Sequence, residues 1–203
     1  MKISTLKQNT DAWFEERKGK ITGSKLNDVV TMRGTGRKVG VYQLIADRLA
    51  IVEEEDDAME RGHRLEPEAI ALFEAESGKT VERVGLCTHD KYDDIAISPD
   101  GLIKYADKYK EAVEVKCLKA ALHLKAWLEK DWSDYKFQVY QYFIVNEDLK
   151  TLYMVFYDPR IASKPMHTIT INRSDVEEET KTFFDYQVGV IEYVNEKLEE
   201  LAF

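Results

Sequence analysis

Ser98-Pro99-Asp100-Gly101 is followed, thirteen residues after Asp100, by Val113-Glu114-Val115-Lys116. On an extended strand successive side chains alternate between faces, so Glu114 and Lys116 share one face while Val113 and Val115 turn into the core. If Leu102 to Tyr105 pairs with Ala112 to Cys117 as a hairpin, Asp100 stands at the end of the first strand, within approach of Glu114. Two carboxylates then converge beside one ammonium. Mg²⁺ is a hard ion that takes oxygen ligands, and in such a place it can activate water and neutralise charge on a transferring phosphate. The lysine acts as a point charge that orients or acidifies the attacking water and stabilises the pentacoordinate oxygens. A third acid, Glu66, arrives from a preceding helix and would allow a second metal. These residues point to metal-dependent phosphodiester hydrolysis. The same residues also suit a plain turn at Asp100-Gly101 and a cross-strand charge pair on a solvated face.

The elements that must position these groups can be read from periodicity. Trp13 to Arg17 and Thr22 to Val30 predict short helical pieces, with Thr22 or Ser24 supplying a cap hydroxyl, and Arg33 to Arg37 a loop. Val39 to Val52 has apolar residues at helical spacing. After the acidic turn Glu53 to Asp57, Ala58 to Ser77 resumes that spacing up to Gly78. Pro67, directly after Glu66, should kink this helix or start a new one, and could turn the Glu66 carboxylate away.

From Thr80 the pattern becomes short β segments: Thr80 to Thr88, Ile95 to Ser98, Leu102 to Tyr105 and Ala112 to Cys117, which read as a meander. Two helices follow, Lys119 to Lys130 and Ser133 to Asn146, the second with an apolar stripe of Phe137, Tyr140, Phe143 and Ile144. Strands at Thr151 to Tyr157 and His167 to Ile171 precede a last helix capped by Ser174 and reaching Leu201. The expected fold class is α/β, a central mixed β-sheet with helices on both faces, built as one domain over residues 1–203.

The chain's formal charge of -9 argues at first against nucleic acid, but its distribution matters more than its sum. Arg17 to Lys38 holds seven basic residues against Asp28, whereas Asp175 to Glu200 holds nine acids against Lys181 and Lys197. The first is a positive patch and the second an acidic helix face. Cys87 and Cys117 follow no metal or redox spacing and are read as buried, reduced thiols of a reducing compartment. No stretch approaches the roughly 20 apolar residues of a membrane span, and Met1 to Thr10 has no apolar leader region, so a cytoplasmic protein is expected. The four histidines fit no metal or triad pattern, and His63 reads as helix surface.

Five segments in order resemble the bacteriophage lambda exonuclease family, the YqaJ-type viral recombinases of the PD-(D/E)XK nuclease superfamily. They are Trp13-x-x-x-Arg17-x-Gly19-x-Ile21-Thr22-x-Ser24; Arg61-Gly62-x-x-x-Glu66 with Leu72-Phe73-Glu74 and Ser77-Gly78; Ser98-Pro99-Asp100-Gly101-Leu102; Glu114-Val115-Lys116-Cys117; and Tyr157-Asp158-Pro159-Arg160. The resemblance implies a restriction-endonuclease-like core. Glu66, Asp100 and Glu114, with the Val115 main-chain carbonyl, would bind one or two Mg²⁺ ions, for which Mn²⁺ could substitute. Lys116 would be the catalytic lysine, and Gln138 a glutamine on the helix facing the metals. Arg17, with Ser24 and Thr22, would grip the 5′-terminal phosphate of the degraded strand. The family's second glutamine is expected two residues after Gln138, where this chain has Tyr140, so Gln141 is placed outside the site.

The function so implied is a 5′→3′ exonuclease acting on double-stranded DNA ends. It would release mononucleotides and leave 3′ single-stranded tails for recombination. A homotrimer, a single-strand annealing protein as partner and a phage or prophage origin in a bacterial cytoplasm are implied by resemblance alone. Two competing readings remain at this point: a PD-(D/E)XK endonuclease of other selectivity, and a non-catalytic DNA-end-binding protein.

Overall fold

The computed structural model describes residues 10–12, 15, 38–48, 58–92 and 94–201. The expected helix at Trp13 to Arg17 is described only at residue 15. Arg17, Thr22 and Ser24, the loop Arg33 to Arg37, most of the basic patch and the acidic turn lie outside the described residues.

Among the elements described with their full range, the helices α1 (Val39–Arg48) and α2 (Ala58–Ser77) come first. Pro67 lies inside α2 and the helix runs on without interruption. Proline has no N–H to donate there, and the turns on either side carry the helix across that gap. Gly78 closes α2 in a left-handed conformation, φ 69°, and its N–H donates to the Glu74 carbonyl at 2.9 Å.

The expected strand Thr80 to Thr88 is mostly irregular. Glu82 alone bridges Leu102, and a short ribbon forms where β1 (Cys87–Thr88) meets β2 (Ala96–Ile97). The meander is therefore split. The hairpin that matters for the site does form: β3 (Gly101–Tyr105) pairs antiparallel with β4 (Lys108–Lys116), Gly101 opposite Val113.

Past β4 the chain crosses over through α3 (Ala120–Glu129), a 3₁₀ turn at Ser133–Tyr135 and α4 (Lys136–Val145), and returns as β5 (Thr151–Tyr157) parallel to β4. An antiparallel β6 (Met166–Asn172) completes a mixed sheet ordered β3-β4-β5-β6. The last helix, α5 (Glu177–Leu201), is not started by Ser174. Asn172 and Asp175 instead form a reciprocal capping box around a 3₁₀ turn at Arg173–Asp175, which takes up the chain's reversal before the helix begins.

Each sheet face carries its own core, as the α/β expectation requires. Leu65, Ala69, Ile70 and Phe73 of α2 pack on Val113, Val115, Cys117 and Val155. On the other face Val139, Tyr142 and Phe143 of α4 meet Leu102, Ala112, Leu152, Met154 and Phe156. A third cluster joins Tyr42 and Ala46 of α1 to Ala120, Ala121 and Leu124 of α3. The Tyr42 hydroxyl also bonds the Glu129 carboxylate.

The expected stripe on α4 is corrected in one respect, since Phe137 is 61% exposed while Tyr140, Phe143 and Ile144 are buried. The sheet covers one side of α4 and α5 another, so its apolar positions do not reduce to one stripe. Cys117 is buried and Cys87 half-buried, and both are free thiols. Among the described residues no helix is long and apolar enough to cross a membrane.

Candidate active site

The register of the hairpin builds the site. With Gly101 opposite Val113, the preceding Asp100 stands abreast of Glu114 at the mouth of the sheet. Asp100 is tied to the strand through its side chain, its Oδ2 accepting the Val115 N–H at 2.7 Å. Gly101 is required by close approach: a Cβ there would lie 2.1 Å from Val81 Cγ1, where residues 81 and 82 cross over the start of β3.

Glu114 is only 3% exposed, which would be costly for a bare carboxylate. Both oxygens are engaged. Oε1 accepts from Lys116 Nζ at 2.7 Å and from Gln138 Nε2 at 2.6 Å, while Oε2 accepts from the Tyr142 hydroxyl at 2.5 Å. Gln138 Oε1 in turn accepts from Lys116 Nζ at 2.8 Å, closing a triangle of amine, carboxylate and amide. Lys116 Nζ also sits 4.9 Å from the centre of the Tyr135 ring. The face carrying Glu114 and Lys116 is thus covered by α4 rather than solvated. A carboxylate this buried and this fully engaged is not an ordinary surface charge pair.

A cavity of about 340 Å³ opens over these groups, walled among others by Glu66, Asp100, Glu114, Val115, Lys116 and Tyr135. Glu66 thus faces the same space from α2 despite Pro67, with Arg83 at 3.5 Å. His63 lies on the same wall and is exposed. Gln141 points elsewhere, donating to the Ala96 carbonyl at 3.1 Å and accepting from Gln187. Gln141 is not among the residues that line this cavity.

Burial, and next the charge of Glu114, push the Asp100 carboxyl up to about 7. Glu66 adds to this, while the Val115 N–H and Lys116 pull the other way. Three carboxylates, Glu66, Asp100 and Glu114, thus line the cavity beside Lys116, and the repulsion among them is part of what raises Asp100. Oxygen donors with a surplus of negative charge are what a hard divalent cation requires. Among the described residues no three carboxylate, thiol or imidazole groups make a ready-made metal cage. Mg²⁺ ordinarily keeps several waters and takes one or two carboxylates plus substrate phosphate, so the donor set fits it.

Tyr142 escapes a motif reading. Its position four residues after Gln138 places both on one face of a helix, and that spacing is the signal that could have found it. The Asp100 N–H also donates to the Tyr142 hydroxyl at 3.4 Å, so this phenol touches both acidic segments.

Residues 12–148 match the YqaJ-like viral recombinase domain. The chain is also similar to the crystal structure of LHK-Exo, an alkaline exonuclease from Laribacter hongkongensis. The two are 28% identical with a TM-score of 0.56, and the likeness covers 95% of this chain and 100% of that one. The structure of LHK-Exo in complex with dAMP shows the same identity, coverage and TM-score. No curated protein matches the chain.

Proposed function

We propose that this chain, which belongs to the YqaJ-like viral recombinase family, is a divalent-metal-dependent exonuclease that degrades one strand of linear double-stranded DNA in the 5′→3′ direction. The observation that carries the reading is the buried Glu114, held by Lys116, Gln138 and Tyr142 beside Asp100. The likeness to an alkaline exonuclease over nearly the whole chain supports it. The dAMP bound to LHK-Exo favours a mononucleotide product here as well.

Asp100, Glu114 and Glu66, with the Val115 carbonyl, would hold Mg²⁺ or its substitute Mn²⁺. When bound, the cation supplies Lewis-acid neutralisation of charge at the phosphate. Lys116 has its ammonium fixed by Glu114 and Gln138, so it enters the reaction already oriented. From there it orients the attacking water and stabilises charge on the phosphoryl oxygens. The Gln138 amide holds Lys116 and Glu114 at a set separation. Water adds to phosphorus and the P–O3′ bond breaks, which leaves a 5′-phosphate on the next nucleotide and readies the strand for another cycle.

Arg17, with Ser24 and Thr22, is assigned to the 5′-terminal phosphate, which a guanidinium can grip in two places at once. The 3′ tails left behind would pass to a single-strand annealing protein. The whole chain would act as one nuclease domain, assembled as a homotrimer in the cytoplasm of a bacterial host.

The test compares nucleotide release from 5′-phosphorylated linear duplex, 5′-hydroxyl linear duplex and a closed circle. The phosphorylated end should be degraded fastest and the circle left intact, and Arg17→Ala should abolish the preference between the two ends. Cutting of the circle would transfer the assignment to an endonuclease. Inertness toward all three would leave only a DNA-end-binding role.

A further inference from the structure

We infer that Phe137, together with Lys136, is a stacking platform for a nucleobase of the strand whose phosphate lies at Lys116; the inference rests on the nuclease reading above. Phe137 is the apolar position of α4 that turns outward, 61% exposed, while residues 139, 140 and 142–145 are buried. Its ring is nevertheless fixed. Phe183 of α5 meets it edge-on at 5.2 Å and 90°, and Tyr140 at 6.3 Å and 88°. Those two rings are themselves stacked at 5.4 Å and 13°. An exposed aromatic held in one orientation has already lost the freedom that a binding contact would otherwise cost it.

The neighbours of this ring fit a nucleic-acid strand. Lys136 Nζ lies 5.1 Å from the Phe137 centroid, so cation and π-face are presented together. The next residue, Gln138, bonds both Glu114 and Lys116, and consecutive Cα atoms are about 3.8 Å apart. On a helix those two side chains diverge by about 100°, so Phe137 stands beside the catalytic cavity, on the α5 side of α4, rather than over it. On the far side Glu179 reaches Tyr140 electrostatically, and an acidic helix repels phosphate. That repulsion disfavours a phosphate backbone on the α5 side and leaves the Lys136 side to it. Every base has a π-face, so such a contact suits an enzyme that must accept each nucleotide in turn.

The test uses 5′-phosphorylated duplexes of one sequence in which the first, second or third nucleotide of the degraded strand carries its base or an abasic tetrahydrofuran. Single-turnover release is followed with wild type, Phe137→Ala and Phe137→Trp. At one position, loss of the base should slow wild type about tenfold (about 1.4 kcal/mol). Phe137→Ala should be slowed as much on the intact strand and show no further loss on the abasic one, while Phe137→Trp keeps the wild-type ratio. Equal abasic ratios in wild type and Phe137→Ala at all three positions would overturn the inference. A changed sedimentation of Phe137→Ala with an unchanged ratio would also overturn it and give the ring to an interface between copies. If wild type releases nothing from any duplex, the nuclease reading itself fails and this inference falls with it.

Discussion

The Tyr142 hydroxyl donates to Glu114 Oε2 at 2.5 Å across the interface between α4 and β4, where both side chains are almost wholly buried. Burial and the adjacent carboxylate hold the phenol's proton well beyond the usual tyrosine range, so Tyr142 remains a donor. Among the described residues, this hydroxyl is the partner of the Glu114 oxygen that faces away from Lys116. Tyr142→Phe leaves that oxygen buried and unpaired, a loss of about 1–3 kcal/mol in the unfolding free energy read from urea denaturation. It should also cost about 10–100-fold in nucleotide release if Glu114 holds the metal as proposed, because a supporting partner of that carboxylate is removed. Lower stability with unchanged activity per folded molecule would make Tyr142 a core residue only.

Gly101 is predicted to be intolerant of even one added carbon. Gly101→Ala sets a methyl against Val81 Cγ1 and should destabilise the protein by about 1–3 kcal/mol. Val81→Ala in the same chain should recover at least about half of that, a coupling readable in a double-mutant cycle by chemical denaturation. Additive losses would place the strain elsewhere.

Arg173 fixes the far end of α4. Its guanidinium donates to the carbonyls of Phe143 at 2.9 Å and Asn146 at 2.7 Å, which the helix end leaves open, and to that of Leu149 at 2.7 Å in the loop that follows. Arg173→Ala should cost about 2–4 kcal/mol, and Arg173→Lys should recover little because a point charge cannot reach three carbonyls with a planar fork. Thermal and urea unfolding of the two variants check this. Full recovery by lysine would show that charge alone matters.

Two buried histidines should each withdraw stability from the fold as pH falls below about 6.5. Burial lowers the pKa of His123, which is 1% exposed and whose Nδ1 has no partner among the described residues, and also that of His167. The unfolded chain therefore binds protons at these sites at a higher pH than the folded one. Stability is fully present above the ordinary histidine pKa and is lost as pH falls through it toward the lowered values. Asp100, pushed up to about 7, contributes with the opposite sign in the same window, so the histidine term is read as a difference: between pH 8 and pH 5.5 the urea midpoint of wild type should fall relative to that of His123→Gln. An identical slope in the variant would contradict the assignment.

The hairpin and its acids were legible because their signals are local: alternation along Val113 to Cys117, and a Pro-Asp-Gly turn at the right distance. The same holds for β5, for α2 and its glycine stop. The strand at Thr80 to Thr88 misled, since its β-type residues mainly follow the edge of β3 without a partner of their own. Ser174 misled because a competing cap, Asn172, is satisfied two residues earlier by Asp175. Tyr142 and the outward turn of Phe137 depend on which faces of α4 meet β4 and α5. Such docking is decided by elements distant in sequence, and one helix's periodicity does not encode it.

The most direct measurement is nucleotide release from a 5′-phosphorylated linear duplex with Mg²⁺, wild type beside Lys116→Ala, both verified as folded by circular dichroism. Wild type should liberate mononucleotides, and the alanine variant should be slower by about 10²–10³-fold while still binding the duplex. Equal release by both proteins, or none by wild type, would contradict a catalytic centre built on Lys116, Glu114 and Asp100.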